Sequence, residues 1–488
     1  MAVLVLTVTQ FAFGSSFPWR ETHLENLRII ENFDLETDVR TALIHSARES
    51  IDVVDFDIGS DSDIALPFIE DLNAATHRGV TVRFVRGGYS AKLYRQLYRE
   101  PHWTDPVEKL ITKSNLNNPI QYIFFGGWKM MLLSGWSPLA AVHEKLIIID
   151  RKVAILSGRN LSKMYSRYID STTLFKGPLI HDALHAFENL WETIHDEMWK
   201  EIPEEYPEIE LPPEGPSLSF TSRRNSKSHQ KKLWATLHWA QDPPVEVSSK
   251  DPPIRARLLH HDVIQQLRMN CAGIPWVYGW TKCSKQIEDP VVQEIADLLN
   301  QDASEMKFYT LGLALNPTLK KALLRRLRTR KAREFSLDLF TNGKNAYQEF
   351  VFWPISTLGW KIALPDIDDL LQQGATIRAF TPKKNDPKTF LHHKGAWLKM
   401  LDGRQYTFLG SHNLNRASSN VTDEMMIEVE STQMGETFQK YYDHSSENYS
   451  QTLDADEIHD QRWWNRLPVL GFESRFLAWT LETLEGGL

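Results

Sequence analysis

Histidine and lysine stand two residues apart at two places in the chain, and an apolar stretch follows each pair. The first pair is His143 and Lys145, before the apolar run 146–149, and the second is His392 and Lys394. Residues two apart on a strand point to the same face, so each pair would present an imidazole beside an ammonium group. Imidazoles can attack or move protons and ammonium groups stabilise negative charge, which is the chemistry of phosphodiester cleavage.

An asparagine ends the strand that follows each pair. Asn160 closes Ser-Gly-Arg-Asn, and Asn413 closes Gly-Ser-His-Asn, in which the serine is Ser411. One His-x-Lys pair is weak evidence because it occurs often by chance, but two pairs in the same place of two repeats are strong evidence. Lysine and asparagine donors from both copies could stabilise the non-bridging oxygens of one phosphodiester from two sides.

The paired motifs resemble the phospholipase D superfamily, whose signature is His-x-Lys-x4-Asp followed by Gly-Ser-x-Asn. The first copy matches through Asp150 but reverses the usual order at Ser157-Gly158. In the second copy Lys399 stands where the aspartate belongs, and Asp402 is either its shifted equivalent or a turn residue. The stretch 410–424 is also similar to the bacterial phosphatidylserine synthase and cardiolipin synthase branch.

The resemblance implies that one histidine forms a phosphohistidine intermediate while the other acts as general acid and then base. The better-preserved first motif favours His143 as the nucleophile. Family members orient the histidines with a carboxylate about ten residues after the asparagine, where Asp170 and Glu424 stand. Neither a metal nor a cofactor is expected. The expected catalytic residues are His143, Lys145, Asn160, His392, Lys394 and Asn413, with Asp150, Asp170, Asp402, Ser411 and Glu424 as orienting or structural residues.

The elements around the two motifs repeat in the same order. Strand, helix and strand follow one another in each half, which indicates βαβ units, and a further strand precedes each motif. The predicted segments are 50–58, 63–78, 79–85 and 120–124 in the first half, and 306–315, 317–333, 335–340 and 375–380 in the second. The sequence therefore predicts an α/β fold of two phospholipase D-like α-β-α sandwich halves related by a pseudo-twofold axis. Each half would hold a mixed, mostly parallel sheet flanked by helices.

Composition divides the 488 residues into five segments. An apolar, uncharged start is either a signal peptide or an N-terminal arm, and six of the 16 residues in 201–216 are proline or glycine, as in a linker. The expected segments are 1–24 (signal peptide or arm), 25–200 (first phospholipase D-like domain), 201–254 (Pro-rich linker), 255–445 (second domain) and 446–488 (helical extension).

Substrate class is less clear from the sequence. The net charge of −8 does not favour long nucleic acid, and the aromatic stretches 124–136 and 350–360 suit an acyl-chain interface or buried packing. The basic helix after Pro317 could bind lipid or nucleic-acid phosphates, or be a solvated face. Its basic residues are Lys320, Lys321, Arg325, Arg326, Arg328, Arg330, Lys331 and Arg333.

Three functions remain open at this point. The leading hypothesis is a phospholipase D-like enzyme that hydrolyses a phospholipid or transfers its phosphatidyl group to an alcohol acceptor. The alternatives are a nuclease of the same superfamily and a degenerate, non-catalytic binding module. We expect a monomer without a membrane-spanning helix, either exported or at the membrane periphery. Cys271 and Cys283 match no zinc or redox motif, and they are either unlinked thiols or one disulfide.

Overall fold

The protein is described by a computed structural model. The described residues are 15–56, 64–87, 106–125, 141–198, 226–247, 253–266, 287–329, 335–343, 353–382, 390–420 and 422–464. Both cysteines and most of the aromatic stretch 124–136 lie outside these ranges, so the expectations for them stay predictions.

The first half contains a sheet with the strand order β3-β11-β9-β8-β4-β5-β6. The strands of this part of the chain are β1 (Ser15–Ser16), β2 (Arg20–Thr22), β3 (Leu27–Ile30), β4 (Ser50–Asp55), β5 (Thr81–Gly87), β6 (Gln121–Phe125), β7 (Ala141–Val142), β8 (Leu146–Ile149), β9 (Val153–Ser157), β10 (Tyr168–Ile169) and β11 (Thr172–Lys176). The helices are α1 (Phe33–Ser46), α2 (Ala65–His77), α3 (Pro106–Ile111) and α4 (Leu179–Met198).

The second half contains a sheet with the order β1-β12-β19-β18-β17-β13-β14-β15-β20. Its strands are β12 (Ile254–His261), β13 (Ala303–Thr310), β14 (Ser336–Asn342), β15 (Thr376–Phe380), β16 (Phe390–Leu391), β17 (Gly395–Met400), β18 (Gln405–Gly410), β19 (Thr422–Glu430) and β20 (Ser450–Thr452). The helices are α5 (Lys227–Gln241), α6 (Pro290–Asn300), α7 (Pro317–Arg328), α8 (Trp353–Leu371), α9 (Arg416–Asn420), α10 (Thr432–Tyr449) and α11 (Ala455–Trp464).

Mixed sheets flanked by helices in two similar halves confirm the predicted fold class. The expected predominance of parallel pairing is wrong, because within each large sheet only three neighbouring strands run parallel, β4, β5 and β6 in one and β13, β14 and β15 in the other. The short pairs of β7 with β19 and of β10 with β16 are also parallel. The strands that carry the motifs form antiparallel hairpins, β8 with β9 and β17 with β18. A tight hairpin turn can join only antiparallel strands. Each motif hairpin therefore makes its part of the sheet antiparallel.

Local sequence signals fix where the helices of the second half begin. Asp289 caps α6 by accepting a hydrogen bond from the backbone of Val292, and Asn316 caps α7 in the same way. A proline follows each cap, where its missing N–H costs nothing and its fixed φ suits a first helical turn. The predicted helix after Pro317 is confirmed, but it ends at Arg328, with Thr329 as an extended C-cap, and not at residue 333.

The two aspartates of the motif signatures lie in hairpin turns. Asp150 and Arg151 have φ of 50° and 56° in the three-residue turn between β8 and β9, and Lys152 N donates to Ile149 O at 2.9 Å, as in a type I′ turn. The Asp150 carboxylate accepts hydrogen bonds from the backbone N–H groups of residues 48–50, which ties the turn to the start of β4. Asp402 is exposed in the β17–β18 turn and accepts from the Arg404 backbone N–H at 3.0 Å. Both carboxylates thus accept hydrogen bonds from backbone N–H groups, and Asp402 lies in a turn.

Three apolar cores hold the molecule together, and the central one is shared by the two halves. In this core Phe187 of α4 belongs to the same cluster as Trp397 of β17 and Phe438 of α10. The other two clusters lie under the outer helices, one in each half. Burial of large aromatic side chains is the main favourable term in packing. The interactions that stabilise a hydrophobic core therefore also hold the two halves together.

The segment predicted as a linker contains a helix. Residues 201–225 lie outside the described part, but α5 begins at residue 227, where Ser226 caps it by accepting from His229 N. It packs on α1 and buries Trp239. The basic residues at 227–232 suggested a polar linker because the apolar positions that anchor the helix come only after them.

The described part of the N-terminal segment belongs to the second sheet. The strands β1 and β2 both pair antiparallel with β12, and Phe17 is buried. This matches the alternative of a first strand or buried arm for residues 15–22. Among the described helices, none combines the length and the apolarity needed to cross a bilayer.

Candidate active site

Each half of the molecule lends a short strand to the motif of the other half. The strand β7, directly before His143, pairs in parallel with the start of β19, and His143 N donates to Asp423 O at 3.0 Å. The strand β10 pairs in parallel with β16, directly before His392, and His392 N donates to Ile169 O at 2.9 Å. The residue after each paired stretch is a carboxylate, Glu424 within β19 and Asp170 after β10, so this pairing sets a carboxylate of one half beside the histidine of the other.

His143 is held by Glu424 of the second half. Its Nδ1 lies 2.9 Å from Glu424 Oε1, and Thr422 Oγ1 donates to the same oxygen at 2.9 Å. The ring of Phe56 packs edge-on against the imidazole, with centroids 4.7 Å apart. With Nδ1–H donated to the carboxylate, the lone pair of His143 remains on Nε2, the nitrogen that can attack or accept a proton.

His392 is held by Asp170 of the first half. Its Nδ1 lies 2.6 Å from Asp170 Oδ2, and the rings of Tyr165 and Tyr168 pack around it at 5.0 and 5.7 Å. The other oxygen of Asp170 accepts from the backbone N–H of Ser171 at 2.8 Å. Both imidazoles therefore have the same tautomer, fixed by a buried carboxylate from the opposite half.

The two lysines stand next to the histidines. Lys394 Nζ lies against the His392 ring, 2.5 Å from Nδ1 and 3.1 Å from Nε2, and donates to Gly158 O of the first half at 3.2 Å. Lys145 Nζ donates to His143 O and lies 5.2 Å from the ring centre of Phe56. Lys394 thus lies directly beside the imidazole of His392, whereas Lys145 bonds to the backbone of His143.

The two asparagines each keep a buried oxygen unsatisfied. Asn160 Nδ2 donates to Tyr165 Oη, and Asn413 Nδ2 donates to Ser418 Oγ at 3.3 Å. Neither Oδ1 has a partner among the described residues. Because buried polar atoms are normally paired, the unpaired amide oxygen beside each motif is a place where a hydrogen-bond donor of a ligand could bind.

Burial and charge keep both histidines neutral. Burial, followed by Lys145 and Lys394, lowers the pKa of His143 to about 4 against the opposing pull of Glu424. Burial and Lys394 lower the pKa of His392 to about 3. Burial also lowers the pKa of Lys394 to about 7, although Asp170 opposes this and Lys145 adds to it. The lysine of each half lowers the pKa of the histidine in the other half, so the two motifs form one electrostatically coupled site.

The carboxylates, in contrast, are ionised. Burial alone would raise the pKa of Glu424, but His143 and neighbouring cations lower it to about 2. Lys394 and His392 bring the pKa of Asp170 well below its usual value in the same way. A neutral imidazole hydrogen-bonded to an ionised carboxylate is the state required of a nucleophile or general base.

The reversed Ser157-Gly158 order has a steric cause. A Cβ at Gly158 would lie 2.2 Å from Asp170 Oδ1, so only glycine leaves room for the carboxylate that holds His392. In the second copy the crowded position is Gly410, where a Cβ would lie 2.1 Å from Met425 O. The Ser411 hydroxyl instead accepts from Met425 N at 3.1 Å and has a structural role.

A positioning role for His412, the variable residue of the second asparagine motif, could not be predicted from the sequence. Its Nδ1 accepts from Leu414 N at 2.9 Å, and its Nε2 lies 3.0 Å from Asp289 Oδ2. Leu414 follows Asn413 and has φ of 58°, a left-handed conformation that costs a branched residue roughly 1–2 kcal/mol. The ring of His412 therefore stabilises the strained backbone that presents Asn413.

We expect His412→Ala to lower kcat on a phosphodiester about tenfold, because losing roughly 1–2 kcal/mol of support displaces the asparagine. The additional change Leu414→Gly should restore most of the activity, since glycine adopts positive φ without help. Leu414→Gly alone serves as the control and should leave kcat near the wild-type value. Steady-state kinetics, with thermal melting to verify folding, would argue against this role if the double variant were no better than His412→Ala.

Two features proposed for the surface look different in the structure. Trp360 belongs to α8 and is buried in the second-half core, so this residue of the stretch 350–360 does not meet solvent. On α7, Arg326 is buried and donates to Ala303 O at 2.9 Å, whereas Lys320 pairs with Asp366 at 2.6 Å. Two of the five basic residues described on α7 are thus committed to packing or ion pairs, whereas Lys321, Arg325 and Arg328 are exposed.

Comparison with known proteins agrees with the duplicated architecture. Residues 41–191 and 295–445 each match the family model described as cardiolipin synthase, PLD-like domain, and together they make up more than half of the chain. No curated protein sequence matches this chain.

Solved structures resemble the chain in fold. The crystal structure of phosphatidylserine synthase from Haemophilus influenzae aligns with a TM-score of 0.62 and 13% identity, over 96% of this chain and 96% of that chain. Polyphosphate kinase from Porphyromonas gingivalis aligns with a TM-score of 0.46 and 12% identity, over 91% of this chain and 52% of that one. A phospholipase D family member from Salmonella typhimurium aligns with a TM-score of 0.25 and 12% identity, over 34% and 91% of the two chains. The first alignment shows a shared fold along nearly the whole chain.

Proposed function

Because the chain belongs to the family of phospholipase D-like domains described as cardiolipin synthase, we propose that it cleaves a phospholipid phosphodiester. The phosphatidyl group would pass to water or to an acceptor alcohol. The observation that carries this proposal is the reciprocal pairing of two neutral histidines with ionised carboxylates of the opposite half, beside Lys394. These are the groups that a two-step transfer through an enzyme-bound phosphoryl group requires.

In the first step one imidazole attacks phosphorus and the bond to the leaving alcohol breaks. We assign the attack to Nε2 of His143, whose side chain keeps 13% of its surface exposed against 8% for His392. A phosphorus–nitrogen bond forms, and His392 protonates the departing oxygen. The protonated form of His392 is favoured once the anionic diester lies next to it, because a nearby negative charge raises the pKa of an imidazole.

In the second step the roles reverse. Neutral His392 takes a proton from water or from an acceptor alcohol, whose oxygen attacks the phosphohistidine and breaks the phosphorus–nitrogen bond. Lys145 and Lys394, with Asn160 and Asn413, would stabilise charge on the non-bridging oxygens in both steps. With this charge supplied by side chains, no step of the proposal needs a metal ion.

The proposal predicts an unusual pH dependence, because the pKa of Lys394 is lowered to about 7 in the empty site. As pH rises through this value the lysine loses its charge, so kcat/KM should fall about tenfold per pH unit above it. kcat should hold to higher pH, since the bound diester favours the charged lysine. Lys394→Arg stays charged and should abolish the alkaline fall. A wild-type kcat/KM that is flat up to pH 9 would contradict this assignment.

Substrate class is tested by supplying both candidate substrates to the purified chain. We expect release of the headgroup alcohol from phospholipid vesicles and no cleavage of single-stranded DNA, with His143→Ala as the inactive control. Cleavage of DNA alone would favour a nuclease. No turnover of either substrate or of a generic diester would favour a binding module. Adding an alcohol acceptor and measuring the new phospholipid separates transfer from hydrolysis.

A further inference from the structure

The helix α5 lies between the two family-matched stretches and belongs to neither of them. It has fifteen residues, among which are three lysines and no aspartate or glutamate. The helix is therefore a local basic element on a chain whose net charge is −8.

The inner face of α5 is fixed to the first half. His229 Nε2 lies 2.8 Å from Asp38 of α1, Trp239 is buried, and Arg28 donates to Ala235 O at 3.0 Å. Because several contacts hold the inner face of α5 against the first half, the opposite face of the helix is oriented toward solvent.

The outer face combines cations with an exposed aromatic side chain. Lys227, Lys231, Trp234 and His238 are exposed at successive spacings of four, three and four residues, which places them in one stripe. Trp234 is 60% exposed. Lys227 and Lys231 lie on this exposed stripe, while the neighbouring Lys232, also exposed, lies close enough to Glu31 to counteract the effect of burial on the pKa of that carboxyl.

We propose that this stripe docks the protein on an anionic phospholipid bilayer. Indole prefers the boundary between water and hydrocarbon, and lysines near the surface are attracted to anionic headgroups. The charge of the whole chain would repel such a surface, but the Debye length of about 8–10 Å limits the interaction to the nearest groups, which here are lysines. The docking rests on the proposed function only in that both involve phospholipid, and it can be measured without turnover.

The test is co-sedimentation of the full chain with phosphatidylcholine vesicles, with or without about one third phosphatidylglycerol. Wild-type protein should bind the anionic vesicles, and added salt should weaken the binding. Replacing the three lysines by Lys227→Gln, Lys231→Gln and Lys232→Gln should reduce the affinity about a hundredfold, at the attraction typical for one lysine. Trp234→Ala should reduce it about tenfold.

The matched control replaces exposed cations of another helix, with Lys321→Gln, Arg325→Gln and Arg328→Gln on α7. It should bind like the wild type, and every variant should cleave a water-soluble diester at the wild-type rate. Equal binding of wild type and the α5 variants, or loss of binding in the α7 variant alone, would overturn the proposal. If the chain binds vesicles through α5 but turns over no phospholipid, the docking proposal stands and the proposed enzymatic function is contradicted.

Discussion

His143→Ala is expected to lower turnover of a phospholipid by about 10⁴-fold or more and to abolish the phosphorylated enzyme intermediate. The nucleophile is lost, and removing a nucleophile typically costs about 10⁶ in kcat. Rapid quenching at high pH, where phosphohistidine survives, would trap the intermediate in the wild type for mass spectrometry. His181→Ala is the control, because its side chain is 80% exposed and should have no effect.

His392→Ala should give a different defect, since it removes the general acid. Loss of such a group costs about 10²–10⁴-fold with a poor leaving group. A p-nitrophenyl diester needs no protonation on departure, so this variant should still form the phosphorylated enzyme from it. If His392→Ala forms no adduct with the activated substrate while His143→Ala does, the two roles are assigned the wrong way round.

The largest effect away from the histidines is expected for Asp170→Asn, which should reduce phospholipid turnover by about 10²–10⁴-fold. Asp170 holds the tautomer of His392 at 2.6 Å, and replacing such a carboxylate with its amide favours the wrong tautomer. The same change leaves Lys394 buried without its carboxylate, so we expect a loss of about 3–5 kcal/mol in the free energy of unfolding. Kinetics and urea denaturation measure the two effects separately.

The pairing of each histidine with a carboxylate of the other half can be tested with two matched variants. Asp170→Asn should behave like His392→Ala and be partly rescued by the p-nitrophenyl diester, although residue 170 belongs to the first half. Glu424→Gln should behave like His143→Ala and show no rescue, because Glu424 holds the nucleophile. Asp402→Asn, in an exposed turn, is the control and should leave both substrates unaffected. Rescue of Glu424→Gln but not of Asp170→Asn would contradict the pairing.

The motifs could be predicted from the sequence because each needs only local information. The His-x-Lys spacing identifies both pairs, although residues 143–145 and 392–394 lie between strands and not within a strand as predicted. The βαβ segments follow from apolar spacing. Asp170 and Glu424 could also be predicted, because each stands at a similar distance in sequence after the asparagine of its motif.

What could not be predicted depends on contacts between distant segments. Which carboxylate serves which histidine is set by the parallel pairs β7 with β19 and β10 with β16, and two-residue strands leave no periodic signal. The role of Asp150 depends on backbone groups about a hundred residues away. The role of His412 depends on the positive φ of Leu414, a position where a sequence would normally show glycine or asparagine.

Because each half holds the histidine of the other half with its own carboxylate, the dependence of activity on protein concentration follows from the fold. A contact in which each partner gives the other the same kind of group is the pattern of a twofold interface between identical subunits. In this chain a covalent connection joins the partners, so their encounter is intramolecular and independent of protein concentration. Joined copies are also free to diverge, and here one copy supplies aspartate where the other supplies glutamate. Specific activity should therefore stay constant to the lowest protein concentration that an assay can detect.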